Sequence, residues 1–133
     1  MIISHKYKFI FIKTAKTAGT SIEVFLSPIC GGNDVLTPIF PHVEPHVARN
    51  YEANGFKNHM AAQEIKNRVE PAIWKNYFKF CVDHNLWDKV LSYYHMVNYL
   101  VDDNLRLNSY FENGSFPTTF EKYKDQTRNV TVD

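Results

Sequence analysis

The sequence predicts a single α/β domain whose strands run parallel and carry a ligand site at their carboxyl ends. Two apolar runs, residues 9–12 and 77–82, have the length and composition of strands, and the first predicts a strand covered on both faces. Polar residues follow each run, and a helical pattern then begins in both cases. Because parallel strands end at the same edge of a sheet, we expect the two turns to lie together.

Composition restricts the class of protein and of partner. The chain has 133 residues, of which 44% are hydrophobic, which is enough for one packed domain. Fifteen basic and fourteen acidic residues give a formal charge of +1, so we expect no nucleic-acid partner. Cys30 and Cys81 form no paired motif and predict reduced thiols in a cytoplasmic protein. His5, Lys6 and Lys8 interrupt the apolar N-terminal stretch, so neither a signal peptide nor a membrane span is expected.

The first turn has the composition of a phosphate cradle. An apolar pattern at helical spacing predicts a helix that begins at about Gly19, directly after the strand and the turn. The unpaired N–H groups at such a helix start, together with the positive end of the helix dipole, favour an anion. Lys16 adds positive charge there, and hydroxyl groups come from Thr17, Thr20 and Ser21. The alternative is an ordinary turn between a strand and a helix, with a solvated lysine.

This turn differs from the common nucleoside triphosphate loop, G-x-x-x-x-G-K-[ST], in which a lysine follows the second glycine. Here Thr20 follows Gly19, and both lysines of the doubled KTA sequence precede that glycine. Asp83, at the end of the second apolar run, nevertheless keeps a second interpretation open. In a P-loop kinase or NTPase, an aspartate at the end of a strand holds Mg²⁺.

Residues 27–58 form a long irregular segment, called the excursion below. It contains four of the six prolines of the chain. We interpret it as an acceptor-binding or lid segment, with a surface loop of no function as the alternative. His42 and His46 have the spacing of metal ligands on a helix, but neighbouring prolines disfavour that helix, so no metal is expected.

The second half of the chain predicts two helices and a polar tail. Asn58 has the character of an N-cap for a helix that ends before Pro71. After the second apolar strand, Asn85 has the character of a cap for a strongly amphipathic helix. Residues 102–133 are polar and rich in turn residues, so we expect a C-terminal tail.

These segments resemble one protein family. The sequences FIKTAKTAGTSIE, NHMAAQEIKN, IWKNYFKF and NLWDKVLSYY, spread over about residues 7–94, are similar to carbohydrate-type sulfotransferases. The resemblance implies a P-loop-like, three-layer fold with a mainly parallel sheet, here shortened at the C-terminus. It also implies 3′-phosphoadenosine 5′-phosphosulfate as the sulfuryl donor, adenosine 3′,5′-bisphosphate as the product and no metal. The acceptor would be a hydroxyl group, by the habit of the family that of a carbohydrate.

Two motifs carry the resemblance. The family's P-K-T-A-G-T-S loop, which holds the 5′-phosphosulfate, matches residues 15–21, so the family's lysine falls on Lys16 and not on Lys13. The resemblance implies that the loop contacts come from Lys16, Thr17, Ala18, Gly19, Thr20 and Ser21.

The family's V-R-N-P-W-D-R motif, together with a helix serine, holds the 3′-phosphate. It matches the region around Asn85 and places the serine at Ser92. His84 stands where the family has arginine, and Leu86 stands where it has proline. Because histidine lacks the bidentate fork of arginine, we expect weaker binding of the 3′-phosphate.

The resemblance also implies roles in catalysis. Lys16 would neutralise charge on the leaving oxygen together with the loop N–H groups. His59 is the candidate general base, since several family members carry a histidine in a comparable setting and imidazole has a suitable pKa. Glu23 is the reserve candidate. A non-catalytic nucleotide-binding or interaction module is the alternative to an enzyme, and a homodimer is considered because a shortened sheet would leave an edge to cover.

Overall fold

The computed structural model describes residues 1–97, so the predicted tail at residues 102–133 lies outside the described part of the chain. The described strands are β1 (Ile2–Ser4), β2 (Phe9–Phe11), β3 (Val35–Leu36) and β4 (Phe78–Phe80). The described helices are α1 (Gly19–Leu26), α2 (Ala62–Lys66), α3 (Pro71–Asn76) and α4 (Leu86–Val97), with a 3₁₀ turn at Ser27–Ile29. The chain is therefore an α/β protein, as the sequence predicts.

The sheet is mixed, and the prediction of a mainly parallel sheet is wrong. Its strand order is β3-β1-β2-β4. β1 pairs antiparallel with both β2 and β3, whereas β2 and β4 run parallel. The polar residues that interrupt the N-terminal apolar stretch form the tight turn between β1 and β2, with Lys8 at a φ of 56°. A strand joined to the next by so short a turn has to return antiparallel.

Apolar side chains cover both faces of this sheet. Ile10 belongs to a buried cluster that includes Ile65 of α2. Phe11 belongs to a second cluster, against which Ile22 and Leu26 of α1 pack. Since neighbouring residues of a strand point to opposite faces, α1 and α2 lie on opposite sides of the sheet. This confirms the prediction that residues 9–12 form a strand covered on both faces.

Two predicted boundaries are confirmed. α1 begins at Gly19, and its N-cap, Ala18, has a φ of 55°. α4 begins after Asn85, whose Oδ1 accepts a hydrogen bond from the backbone N–H of Trp87 at 2.9 Å. After a short connection in each case, α1 therefore follows β2 and α4 follows β4.

Two other boundaries differ from the predicted ones. Asn58 does not cap a helix, because His59 has a φ of 54° and α2 begins only at Ala62. Pro71 does not simply end a helix, since it is the first residue of α3. Proline suits that position because its missing N–H would have no partner within the helix.

Asp34 ties the excursion to the sheet. The residue is buried, and its carboxylate accepts hydrogen bonds from Ser4 Oγ (2.7 Å) and from the N–H groups of His5 (2.7 Å), Lys6 (3.1 Å) and Gly31 (2.7 Å). Burial raises the pKa of Asp34, but these bonds outweigh it and the pKa lies below its usual value. Part of the excursion is thus fixed to β1 rather than being a detached lid.

Replacement of Asp34 by alanine should therefore destabilise the fold. We expect Asp34→Ala to lower the free energy of unfolding by about 3 kcal/mol at pH 7, because four donors lose a charged acceptor. Since the folded pKa is lowered, the contribution of Asp34 is present at neutral pH and is lost as the pH falls through that folded value. Urea denaturation followed by circular dichroism measures both effects. The matched control is Asn33→Ala at an exposed neighbour, and an equal effect of the two substitutions would contradict the assignment.

Candidate functional site

The two predicted turns lie at the same edge of the sheet. Phe9 pairs with Phe78 and Phe11 with Phe80 in parallel register, so β2 and β4 end side by side. The contact continues beyond the strands, since Thr14 Oγ1 donates a hydrogen bond of 2.6 Å to the carbonyl of Val82. This bond joins the turn after β2 directly to the turn after β4.

The backbone of the first turn is shaped to receive an anion. Lys16 and Ala18 have φ values of 58° and 55°, on either side of Thr17. Left-handed residues in a turn can direct successive N–H groups toward one point. Ala18 provides no side-chain cap for α1, so the first N–H groups of this helix are left without the usual partner. The positive end of the helix dipole adds to the attraction for negative charge.

The structure separates the two lysines of the turn. Lys13 is buried, and its ammonium group lies 2.6 Å from Glu23 Oε2 and 3.0 Å from Thr20 Oγ1. Lys16 is half-buried, and in the part of the chain that the structure describes its ammonium group makes no hydrogen bond or ion pair. Lys16 is therefore the lysine whose charge is available to a ligand.

The hydroxyl groups of the turn also differ in whether they are already bonded within the loop. Thr17 is buried, and its Oγ1 lies 3.1 Å from the carbonyl and 2.8 Å from the hydroxyl of Thr14. Because Thr14 donates its own hydrogen to Val82, Thr17 is the donor to Thr14 and its hydroxyl is used within the loop. Thr20 is half-buried and Ser21 is exposed. Thr17 can thus offer a ligand its backbone N–H, whereas Thr20 and Ser21 can also offer hydroxyl groups.

Glu23 does not reach the cleft. It is fully buried beneath the turn and forms ion pairs with Lys13 and with the amino group of Met1. The same amino group donates to Thr37 Oγ1 at 2.5 Å. A carboxylate enclosed in this way is unsuited to act as a general base, the role for which Glu23 was the reserve candidate. The spacing of Gly19 and Glu23 on one helix face is the signal that could have placed Glu23 under the turn.

The side chain of His59 is exposed and lies beside the same turn. Its imidazole forms a hydrogen bond with the backbone of Lys13. Desolvation lowers the pKa of His59, and the positive charges of Lys13 and the Met1 amino group act in the same direction. The structure thus places His59 beside the turn after β2, and its surroundings favour the neutral imidazole.

The second turn contains an exposed histidine and an ion pair. His84 is exposed, and its backbone N–H donates to Asp83 Oδ1 at 2.8 Å. Asp83 also forms an ion pair with Lys89 of α4. Burial raises the pKa of Asp83, but the bonds from Lys89 and His84 outweigh it and the pKa is lowered. Ser92 is half-buried on the same helix.

This ion pair bears on two interpretations of the sequence. An ammonium group already occupies Asp83, so this carboxylate is less suited to holding Mg²⁺ than that of a P-loop kinase or NTPase. For the same reason, the charge of Lys89 is partly neutralised by Asp83. His84 is exposed at this turn, and so are its neighbours Asp83 and Asn85.

His46 is a buried imidazole that sequence reasoning considered only as a metal ligand. It is 1% exposed, and its Nε2 has no hydrogen-bond partner among the described residues. Burial lowers the pKa of His46, against the opposing charge of Glu23. The positive charges of the Met1 amino group, Lys13 and His42 lower it further. The neutral form of His46 is therefore the one that the fold accommodates.

Comparisons of the chain with protein-family models, with curated proteins and with solved structures found no match. No helix within residues 1–97 is long and apolar enough to cross a membrane. The same residues contain no group of three or more histidine, cysteine, aspartate or glutamate side chains that could hold a metal ion.

The burial of His46 predicts a pH-dependent stability. Its folded pKa is lower than the unfolded value of about 6.5, so the unfolded chain binds more protons in this range. Stability should consequently fall as the pH drops below about 6.5, with a contribution from His46 of at most about 1.4 kcal/mol per pH unit. We expect His46→Gln to reduce this slope in urea denaturation between pH 7 and pH 5, and the exposed control His84→Gln to keep it. Equal slopes for wild type and His46→Gln would contradict the assignment.

Proposed function

We propose that the chain is a sulfotransferase with a P-loop-like fold that uses 3′-phosphoadenosine 5′-phosphosulfate as its sulfuryl donor. The observation that carries the proposal is the meeting of the two turns at one sheet edge, joined by the bond from Thr14 to Val82. The family's 5′-phosphosulfate motif matches the first turn, and its 3′-phosphate motif matches the second. A ligand with phosphate groups at both positions would contact both turns.

The first turn fits a phosphosulfate group. It offers uncapped N–H groups at the start of α1 and the hydroxyl groups of Thr20 and Ser21. It also offers the ammonium group of Lys16, which is unpaired among residues 1–97. These are donors and a positive charge, and the Glu23 carboxylate is enclosed beneath the turn. Such a set suits an anion that carries several acceptor oxygens.

The second turn fits a 3′-phosphate more weakly. His84 is exposed and Ser92 is half-buried on the helix that follows, so both can contribute to a phosphate site. In this proposal, one imidazole takes the place of a bidentate guanidinium group. The expected consequence is a 3′-phosphate contact weaker by about 1.5–3 kcal/mol than one made by arginine.

The chemistry needs a neutralised leaving group and an activated acceptor. The donor supplies a sulfuryl group whose transfer releases adenosine 3′,5′-bisphosphate. Lys16 and the loop N–H groups stabilise the negative charge that grows on the leaving oxygen. His59, held against the backbone of Lys13, accepts the proton of the acceptor hydroxyl. The acceptor is proposed to be a carbohydrate, bound against the excursion.

The proposal extends to location and assembly. Both cysteines are free thiols, and burial raises the pKa of each, so they are held in the unreactive protonated form. This supports a cytoplasmic location. Within the described sheet, β4 has a partner on one side only, so a homodimer that covers its other edge is part of the proposal.

Nucleotide binding tests the proposed site. Calorimetric titration of the full chain should show tighter binding of adenosine 3′,5′-bisphosphate than of adenosine 5′-monophosphate or Mg²⁺–ATP, because only the bisphosphate fills both turns. We expect Lys16→Ala to weaken bisphosphate binding about tenfold or more and His84→Arg to strengthen it about tenfold.

The matched control is Lys66→Ala, which removes an exposed lysine of α2 and should leave the affinity unchanged. Preference for Mg²⁺–ATP would overturn the proposal in favour of an NTPase or kinase. Absence of binding to all three nucleotides would also overturn it, and would favour an interaction module without nucleotide chemistry.

The role of His59 is tested separately from binding. We expect His59→Ala to lower sulfuryl transfer about 100-fold or more while bisphosphate affinity stays within about twofold of wild type, because a general base acts on the acceptor. Transfer is measured as release of adenosine 3′,5′-bisphosphate from the donor in the presence of a mixture of mono- and disaccharides. Equal rates for His59→Ala and wild type would remove His59 from the mechanism.

A further inference from the structure

Lys13 occupies an unusual position for a lysine. It is 4% exposed, and its ammonium group contacts both Glu23 Oε2, at 2.6 Å, and Thr20 Oγ1, at 3.0 Å. Its aliphatic stem lies under the first residue of α1, since a Cβ atom at Gly19 would come within 2.7 Å of Lys13 Cγ. The side chain is thus confined by packing along its length and by an ion pair at its end.

The contact with Thr20 fixes the direction of a hydroxyl hydrogen. An ammonium group is a hydrogen-bond donor only, so Thr20 Oγ1 is the acceptor in this bond. The single hydrogen of the Thr20 hydroxyl therefore points away from Lys13. In the described part of the chain, that hydrogen has no acceptor, and it lies at the start of the helix that heads the anion cradle. A positive donor on the oxygen also strengthens the hydroxyl as a donor.

The neighbouring Thr17 shows the opposite arrangement. Its hydrogen is directed to Thr14, and the hydrogen of Thr14 is directed to Val82. One hydroxyl of the turn is therefore bound inward and stiffens the loop. The Thr20 hydroxyl instead accepts a hydrogen bond from Lys13, and its own hydrogen points away from that ammonium group.

We propose that Lys13, held by Glu23, is a positioning residue that orients the Thr20 hydroxyl as a hydrogen-bond donor to the anion bound at the turn. The identification of this anion as the 5′-phosphosulfate rests on the proposed function, but the orientation of Thr20 does not. The buried ion pair would then serve binding as well as packing, because its ammonium group acts on the ligand through the Thr20 hydroxyl.

A double-mutant cycle tests this coupling. Thr20→Val removes the hydroxyl with little change of shape, and Lys13→Met removes the ammonium group with little change of the stem. Each should weaken the binding of adenosine 3′,5′-bisphosphate, measured by calorimetry, about tenfold. The double variant should be weakened about tenfold as well, because Lys13 has nothing to orient once the hydroxyl is absent.

Three controls separate positioning from other roles. Thr20→Ser keeps the hydroxyl and should retain affinity within about twofold of wild type, while Lys75→Met removes an exposed lysine of α3 and should change nothing. If Lys13→Met does not fold because Glu23 is left unpaired, the charge-balanced variant Lys13→Met/Glu23→Gln replaces it, with Glu23→Gln as its reference. A weakening of about 100-fold in the double variant would overturn the proposal, since Lys13 would then act independently of Thr20. Wild-type affinity of the Lys13→Met variant would overturn the proposal as well.

Pyrophosphate, used as a second probe, makes failure of this inference distinguishable from failure of the proposed function. Coupling of Lys13 and Thr20 in pyrophosphate binding, with no binding of the bisphosphate, would support the positioning role and reject the sulfotransferase site. Bisphosphate binding without coupling would reject the positioning role alone. Absence of binding to both probes would overturn both.

Discussion

The parallel pairing of β2 with β4 is the constraint on which the rest of the site depends. It places the turn after each strand at one edge of the sheet, and the bond from Thr14 to Val82 joins the two turns. Without it, the uncapped start of α1 would be an isolated anion-attracting helix end. With it, residues that follow β4, among them His84, come to the same edge as the turn before α1.

Within the first turn, chemically similar side chains have different bonding partners. Lys13 is buried and paired with Glu23, whereas Lys16 keeps its charge available. Thr17 is bound to Thr14, whereas the Thr20 hydroxyl is turned outward. A buried ion pair carries a desolvation cost that its attraction does not always offset, so such a pair is weak evidence of a role in stability. The contact of Lys13 with Thr20 gives this ion pair a role in shaping the first turn instead.

The sequence predicted the parts of the fold that rest on local patterns. The run at residues 9–12 predicted a strand covered on both faces, and the cap at Asn85 predicted the start of α4, because burial on both sides and capping leave strong local signals. The antiparallel β1 was missed, since three residues between a terminus and a polar turn carry almost no periodicity. α3 was missed because Pro71 was interpreted as a stop, although proline also suits the first position of a helix.

The candidate site, too, could be predicted from the sequence only in part. The anion cradle and the assignment of Lys16 rather than Lys13 to it stay predictions. The succession of strand, turn and helix on which they rest could be predicted. The burial of Glu23, the contact of His59 with Lys13 and the enclosed His46 could not, because they depend on which segments meet across the fold. Contacts between residues tens of positions apart leave no period in the sequence.

The central claim is that both turns bind one ligand. It is tested most directly by recording ¹H–¹⁵N spectra of the full chain during titration with adenosine 3′,5′-bisphosphate. The account predicts that the amide signals of Gly19, Thr20 and Ser21 and those of His84 and Asn85 shift together, with the same dissociation constant. Shifts confined to one turn, or different dissociation constants for the two groups of amides, would contradict it.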